Sequence, residues 1–128
     1  MYSSPLQAYD TVNKKTMPGR EIEAAVLTKA ARKLKDCQES WDTENRDEKL
    51  SEALKFNQLV WSIFQGELNK EDNPLNRKLR ADLLRLSAFV DRRIFETIAD
   101  PSPAKLNIVI SINNNIAAGL REGLANNL

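Results

Sequence analysis

One segment of the sequence repeats its large side chains at a helical spacing, and it constrains the fold more than any other feature. Between residues 50 and 68 these side chains recur alternately four and three positions apart, which places them on one face of an α-helix. The series is Leu50, Leu54, Asn57, Trp61, Phe64 and Leu68. Asn57 is its only polar member, so the segment is predicted to pack against neighbouring helices along a single apolar seam.

Similar periodicities predict three more long helices. The first runs from near Arg20 to Trp41, the second from Pro74 or Asn76 to Ala99, and the third from Ser102 onwards. Their seams are, in chain order, Ile22, Val26, Ala30, Leu34, Cys37 and Trp41; Leu79, Leu83, Leu86, Val90, Ile94 and Ile98; and Leu106, Val109, Asn113, Ile116 and Leu120. Further apolar residues widen the second of these faces, which is predicted to contact more than one neighbour; they are Leu84, Phe89 and Phe95.

Polar residues and prolines separate the predicted helices. The stretch 42–46 supplies one turn. Asn73 is predicted to cap the following helix, with Pro74 opening it, and Ser102 and Pro103 are predicted to do the same for the last helix. The chain after Leu124 is expected to fray.

A short helix is predicted near the N-terminus, after Ser3 or Ser4 as a cap and Pro5 in the first turn. Its apolar side would carry Leu6, Tyr9 and Val12. With no strand alternation anywhere, the fold class is all-α: a compact bundle of four long helices plus a short N-terminal helix, forming a single domain over residues 1–128.

The composition argues against most enzymatic chemistry. The 128 residues include no His, the commonest general base and metal ligand, and a single cysteine, Cys37. We therefore expect a non-enzymatic protein with no metal and no cofactor. The net charge of +1 gives no field that would favour nucleic acid, and no stretch approaches the roughly 20 apolar residues of a membrane helix. A cytoplasmic location with no membrane partner fits these features.

Two asparagines occupy seam positions where aliphatic residues would pack better, Asn57 and Asn113. A buried amide without partners costs about 1–3 kcal/mol, so the two either bond to each other, bond to a helix break or open onto a groove. A buried hydrogen bond that fixes helix register is the favoured interpretation, and a ligand-facing role is the alternative.

Two further clusters have both a structural and a functional interpretation. An aromatic set at seam positions suits core packing better than a partner pocket; it comprises Trp41, Trp61 and Phe64. A basic row on one helix could contact phosphates or an acidic peptide, although a solvated face interspersed with Asp82, Asp91 and Glu96 is favoured. The row comprises Lys78, Arg85 and Arg92.

Other candidate chemistry is weaker. Cys37 lies on an apolar stripe and is interpreted as a core residue rather than a reactive thiol. The carboxylates of Glu44, Asp47 and Glu48 lie in a polar turn without companion ligands, which argues against a metal site there.

Ordered motifs across nearly the whole chain, from about Ala8 to Arg121, resemble the FlaF family of flagellar biosynthesis proteins. No single motif is diagnostic, but their order is. The motifs are Ala8 and Tyr9; Pro18 with Arg20, Glu21, Ile22 and Glu23; Trp41 with Asp42; Glu52, Ala53 and Leu54 with Asn57, Leu59, Trp61 and Phe64; Asn73, Pro74 and Leu75; Phe89 and Val90; Asp100, Pro103, Lys105 and Leu106; and Ile112, Asn113, Ile116, Ala117, Gly119 and Leu120.

The resemblance implies a small cytoplasmic helper of flagellin, needed for flagellin production and export and acting alongside the regulator FlbT. Flagellin is then the expected partner, captured as an amphipathic helix in an apolar groove, with FlbT as a further partner. The residues expected to contact the partner are Leu6, Tyr9, Val12, Asn57, Trp61 and Asn113. The first helix would act either as a lid or as part of that surface.

The alternative is a post-transcriptional regulator of flagellin synthesis that acts with FlbT or on flagellin mRNA. Direct contact with nucleic acid is the less favoured route, and the basic row would be its footprint. Salt separates the two hypotheses, because RNA binding weakens steeply with salt and apolar helix capture does not.

Overall fold

The computed structural model describes residues 18–126, and within them the chain is all-helical, without a strand. Helix α1 spans Pro18–Glu39, α2 spans Arg46–Leu68 and α3 spans Arg77–Ala99. A 3-10 helix over Pro103–Leu106 leads into α4, Asn107–Asn126. The four predicted long helices are confirmed, whereas the predicted short helix carrying Leu6, Tyr9 and Val12 lies outside the described residues.

Helix α1 is the centre of the bundle, since it packs most extensively on α4 and also lies along α2. Hydrogen bonds near both ends show that α1 and α4 are antiparallel. Gln38 Nε2 donates to Asn107 Oδ1 (2.6 Å) and to the Pro103 carbonyl (2.9 Å), and Arg121 donates to Thr28 Oγ1 at 3.3 Å. The connection through the 3-10 helix therefore returns the chain to α1.

Helix α3 is attached differently. It packs along α2 and touches the 3-10 helix, but within residues 18–126 it makes no comparable backbone approach to α1 or α4. Its link to α2 is partly polar, because Gln65 Nε2 donates to Asp91 Oδ2 at 3.0 Å and also to Ser87 Oγ. One side of α3 therefore remains without a helical neighbour among the described residues.

The core lies between α1, α2 and α4, and the predicted seam of α2 is buried apart from Phe64, which is half-buried. Small residues of α1 let its backbone approach its neighbours closely, and Leu27 and Leu34 fill the space between the helices. Complete burial of one such leucine stabilises the fold by about 1.5–3 kcal/mol. The small buried residues of α1 are Ala24, Ala30 and Ala31.

Two predicted helix caps are wrong. Asn76, not Asn73, caps α3, since its Oδ1 accepts from the Leu79 amide at 2.8 Å. Asn73 instead closes the preceding loop, accepting from the Leu75 amide (3.0 Å) and donating to the Glu67 carbonyl (2.9 Å). Asn73 lies three residues before the true cap, and an asparagine side chain can close a loop as readily as it can cap a helix. The sequence pattern does not distinguish these two roles.

The start of the last helix also differs from the prediction. The Ser102 side chain makes no capping hydrogen bond. The backbone carbonyl of Ser102 accepts from the Lys105 amide at 3.2 Å and begins the 3-10 turn. The α-helix begins only at Asn107 and extends past Leu124 to Asn126. Helix α1 ends at Glu39, two residues before the predicted Trp41.

The seam predicted for α3 is correct in the middle and wrong at its ends. Val90 and Ile94 are buried, but Leu79 and Ile98 are 42% and 56% exposed. Ser87 and Thr97 are buried in the core in addition to the apolar residues. The Thr97 hydroxyl donates to the Arg93 carbonyl of its own helix at 2.7 Å, and the Ser87 hydroxyl accepts from Gln65 of α2, so both can replace aliphatic residues at buried positions.

Candidate partner-binding groove

A buried polar triad connects α2 to α4. Asn113 Nδ2 donates to Asn57 Oδ1 at 2.6 Å, and Trp61 Nε1 donates to Asn113 Oδ1 at 2.8 Å. All three side chains are buried. The two seam asparagines therefore bond to each other, as the structural interpretation of the sequence expected, and the indole extends their network by one member.

The triad has a defined direction. An indole N–H can only donate, so Trp61 holds the oxygen of the Asn113 amide toward α2. The Asn113 nitrogen then faces Asn57, which must accept through its oxygen. This leaves Asn57 Nδ2 buried without an acceptor, the one unsatisfied amide of the network.

The side chains of Asn57, Trp61 and Asn113 offer no surface to a partner in this structure, because all three are buried. Direct contact between them and a partner stays a prediction. What the geometry assigns to them is a structural link: they join α2 to α4 beneath the surface. Leu6, Tyr9 and Val12, the other residues predicted to bind a partner, lie outside the described residues.

Side chains of α2 reach both α3 and α4 next to this triad. Trp61 reaches α4 through Asn113, while Gln65, one helical turn later on the same face of α2, reaches α3. The face of α2 between these two side chains is therefore bordered by α3 on one side and by α4 on the other.

The α3 wall of the gap is made of leucines. Ser87 and Asp91 mark the side of α3 that faces α2. At about 100° per residue, Leu79, Leu83 and Leu86 lie beside them, on the same face as the buried Val90. Leu79 is exposed and the other two are half-buried.

The α4 wall is made of isoleucines. Asn107 and Arg121 mark the side of α4 that faces α1. Ile112 and Ile116 lie on the opposite side and are half-buried. Leu86, Ile112 and Ile116 also pack against the core. We call the apolar surface formed by Leu79, Leu83, Leu86, Ile112 and Ile116 the α3–α4 groove; none of these five side chains is charged.

The three aromatic residues pack in and against the core. Trp61 and Phe64 pack edge to face, with ring centroids 6.0 Å apart. Trp41 is half-buried against the core, and the Arg46 guanidinium lies 4.7 Å from the centroid of its ring. The core-packing interpretation thus holds for all three.

Cys37 is buried in the apolar core, as its stripe position predicted. Burial raises the pKa of its thiol, which disfavours the nucleophilic thiolate.

A surface depression near the start of α2 is lined by polar and charged side chains, namely Asp47, Glu48, Ser51, Glu52 and Lys55. No set of three or more potential metal ligands clusters within residues 18–126.

The basic row on α3 is partly paired. Lys78 and Arg85 both contact Asp82, and the hydrogen bond from Arg85 holds the pKa of the Asp82 carboxyl below its ordinary value. Arg92 is exposed. The predicted pairing of the basic row with interspersed acidic residues is confirmed at Asp82. Glu96 pairs instead with Arg93 at 3.6 Å, and Asp91 bonds to Gln65.

The family model for the flagellar protein FlaF matches residues 5–120 of the chain. The chain belongs to the FlaF family. The FlaF match covers α1, α2, α3 and most of α4, including both walls of the groove and the whole triad. Comparisons with curated proteins and with solved structures found no match.

FlaF membership makes this a flagellar protein, as the ordered motifs predicted. None of the four described helices of this FlaF-family protein is both long and apolar enough to cross a membrane. The sequence reasoning missed the link from Gln65 to Ser87 and Asp91. Its signal was the position of Gln65 one turn after Trp61, next to a largely apolar seam.

Proposed function

We propose that this FlaF-family protein captures a terminal amphipathic helix of flagellin in the α3–α4 groove and so supports flagellin production and export as a non-enzymatic cytoplasmic chaperone. The observation that carries the proposal is the set of partly exposed apolar side chains on α3 and α4. Leucines and isoleucines line two helices that do not approach each other closely in the described structure, and Leu79 is 42% exposed.

Flagellin supplies a suitable ligand. Its terminal segments form amphipathic helices only when they are packed, so before export they need an apolar surface. Helix-in-groove binding uses anchors spaced three and four residues apart, which matches the spacing of Leu79, Leu83 and Leu86 on the facing wall. Burial of apolar area at about 25 cal/mol per Å² supplies the driving force.

The buried triad supports this role indirectly. Because Trp61, Asn113 and Asn57 tie α2 to α4, the floor and one wall of the groove are fixed before the ligand arrives. A preformed site loses less conformational freedom on binding. The triad residues thus act as positioning residues in the proposal, and none of them needs to touch flagellin.

The direct test is calorimetric titration of the purified protein with monomeric flagellin from the same host, at low and at high salt. We expect binding that is nearly independent of salt, with a negative heat capacity change. The Leu79→Asp variant should bind at least about tenfold more weakly, since a charge would enter the apolar wall. The first turn of a helix favours an aspartate, so α3 should still form.

Leu59→Asp is the matched control. Leu59 is 58% exposed on α2, so its substitution changes the same chemistry outside the groove. Two outcomes would exclude the groove as the binding site. In one, both variants lose flagellin affinity equally; in the other, both stay folded and neither loses affinity. Replacement of the flagellin termini by an unrelated sequence tests the ligand side in the same assay.

The exposed Arg92 and its neighbours Lys78 and Arg85 favour a second candidate, a regulator of flagellin synthesis that acts with FlbT or on flagellin mRNA. The flagellin leader RNA is therefore titrated alongside. Binding to RNA alone, lost at high salt, would replace the chaperone proposal with the regulator. Binding to neither would identify FlbT as an obligatory partner.

A further inference from the structure

A second apolar surface lies on α3, next to the side that contacts α2. Phe95 is 61% and Ile98 is 56% exposed, and both are large apolar side chains. The helical repeat places Leu84 and Ala88 on the same side, so the four residues form one row along the helix. We call this row the outer stripe of α3.

The outer stripe is not a continuation of the groove. Leu79, Leu83 and Leu86 project from α3 roughly 100° or more away from Phe95. Ser87 and Asp91, which bond to Gln65, face α2. The outer stripe adjoins the α2-facing side at Asp91, which the helical repeat places between Leu84 and Ile98. Among the described residues of α3, only Phe95 and Ile98 are large apolar side chains exposed to more than half of their area.

Positive charge borders the outer stripe. Arg85 and Arg92 are exposed and lie seven residues apart along one edge, two helical turns from each other. Helix α3 carries six Arg or Lys residues and three Asp or Glu residues, although the whole chain has a net charge of only +1. Asp82 pairs with Arg85, and Glu96, one turn after Arg92, pairs with Arg93, so Arg92 supplies the uncompensated positive charge of this edge.

We propose that the outer stripe docks an amphipathic helix with an acidic border, contributed by a protein partner other than the ligand of the α3–α4 groove. The stripe from Leu84 to Ile98 is about 21 Å long at 1.5 Å per residue, which matches a helix of about four turns. The apolar side of such a helix covers Phe95 and Ile98. Its acidic border lies against Arg85 and Arg92, where opposite charges steer and orient association.

The charge pattern disfavours a second copy of this chain as the occupant. When two identical helices pair in antiparallel orientation, equivalent flanking rows lie opposite each other. Arg85 and Arg92 of one copy would then face the same residues of the other, and like charges repel at that range. An acidic helix meets the same edge with attraction.

The test uses two synthetic peptides of about 18 residues, or five helical turns. Both carry the same leucine stripe; one has glutamates along its border and the other has lysines. Binding to the full-length protein is measured by fluorescence anisotropy at low and at high salt. We expect the acidic peptide to bind about tenfold or more tightly than the basic one at low salt, with the difference shrinking at high salt.

Variants locate the binding surface. Phe95→Ser should weaken the acidic peptide by about tenfold, because exposed aromatics at the centre of an interface contribute most to affinity. Leu59→Ser, at a position exposed to a similar degree on α2, should leave binding unchanged. Arg85→Glu combined with Arg92→Glu should abolish or reverse the preference for the acidic peptide. Circular dichroism confirms that each variant is folded.

Other outcomes overturn the proposal. Equal binding of both peptides would mean that the charged edge does not discriminate between acidic and basic helices. Weaker binding in Leu79→Asp with no effect of Phe95→Ser places the peptide in the groove. If the protein forms a concentration-dependent dimer that Phe95→Ser dissociates, the stripe binds a second copy of the chain. If a uridine oligonucleotide binds tightly, and its binding depends on Arg92 but not on Phe95, the charged edge binds RNA. Because flagellin titration of Phe95→Ser is a separate measurement, failure here leaves the chaperone proposal standing.

Discussion

Trp61 and Asn113 are joined by a buried 2.8 Å hydrogen bond that ties α2 to α4 across the core. Substitution of Asn113 by Ala leaves both the Trp61 N–H and the Asn57 oxygen without partners. Each orphaned buried group costs about 1–3 kcal/mol, so Asn113→Ala should lower the free energy of unfolding by about 2–4 kcal/mol. Urea denaturation followed by circular dichroism measures this change.

Asn114→Ala is the control for this substitution, since Asn114 is the next residue and is exposed. It should change stability by no more than about 0.5 kcal/mol. Asn57→Ala should cost less than Asn113→Ala, because Asn57 makes one bond in the triad and already carries an unpaired amide. If Asn57→Ala proves the more damaging of the two, the direction assigned to the network is wrong.

Gln65 holds α3 to α2 through Ser87 and Asp91. Gln65→Ala should cost about 1–2 kcal/mol and should increase amide hydrogen exchange in α3 far more than in α1, because α3 has few other attachments. Exchange read out by mass spectrometry tests both parts. Gln58→Ala, a half-buried glutamine on the same helix, serves as control; a uniform increase over all helices would show that Gln65 supports the whole fold rather than α3.

Cys37 gives stability a defined dependence on pH. Its pKa is raised by burial in the folded state, whereas the unfolded thiol titrates near the ordinary value of about 8.5. The stabilising effect of the neutral thiol is complete below that value and is lost as the pH rises through the folded pKa. We therefore expect the free energy of unfolding to fall above pH of about 8.5, and to fall less steeply in Cys37→Ala.

Alkylation provides the second readout for Cys37. A maleimide reagent should label the folded protein slowly and the urea-unfolded protein rapidly, because only the unfolded thiol is accessible and readily ionised. Rapid labelling under native conditions would contradict the burial of this side chain.

Asp82 sets how much positive charge the α3 edge presents. Asp82→Asn releases Lys78 and Arg85 from their common partner, so the acidic peptide should bind a few-fold more tightly at low salt. Thermal stability should change little, since exposed ion pairs contribute little to folding. Asp47→Asn, an exposed carboxylate on α2, is the matched control. No change in peptide affinity would show that this part of the edge is not used.

The sequence was sufficient for the parts of this structure that depend on apolar periodicity. The seam from Leu50 to Leu68 predicted α2 and its burial, and the paired asparagines predicted the bond between Asn57 and Asn113. Prediction from the sequence fails where a polar residue occupies a buried position. Thr97 is buried because its hydroxyl bonds to a carbonyl one turn earlier, and a pattern of hydrophobicity cannot register that bond.

The groove was beyond the sequence for a different reason. Periodicity shows which side of a helix is apolar, but it does not show which neighbour covers that side. Leu79 and Ile98 fit the seam of α3 as well as Val90 does, yet both are exposed, because among the described helices α3 packs closely only along α2. Only the arrangement of the helices separates a core position from a wall of a groove.

The one-sided attachment of α3 gives the groove an adjustable width. Outward movement of α3 breaks its contacts with α2 and the 3-10 helix, whereas movement of α1 would break the main core. One wall of the groove can therefore yield while its floor and its other wall stay rigid. In the proposed function, such a clamp would accept helices that differ in the size of their anchoring side chains and would release them without unfolding.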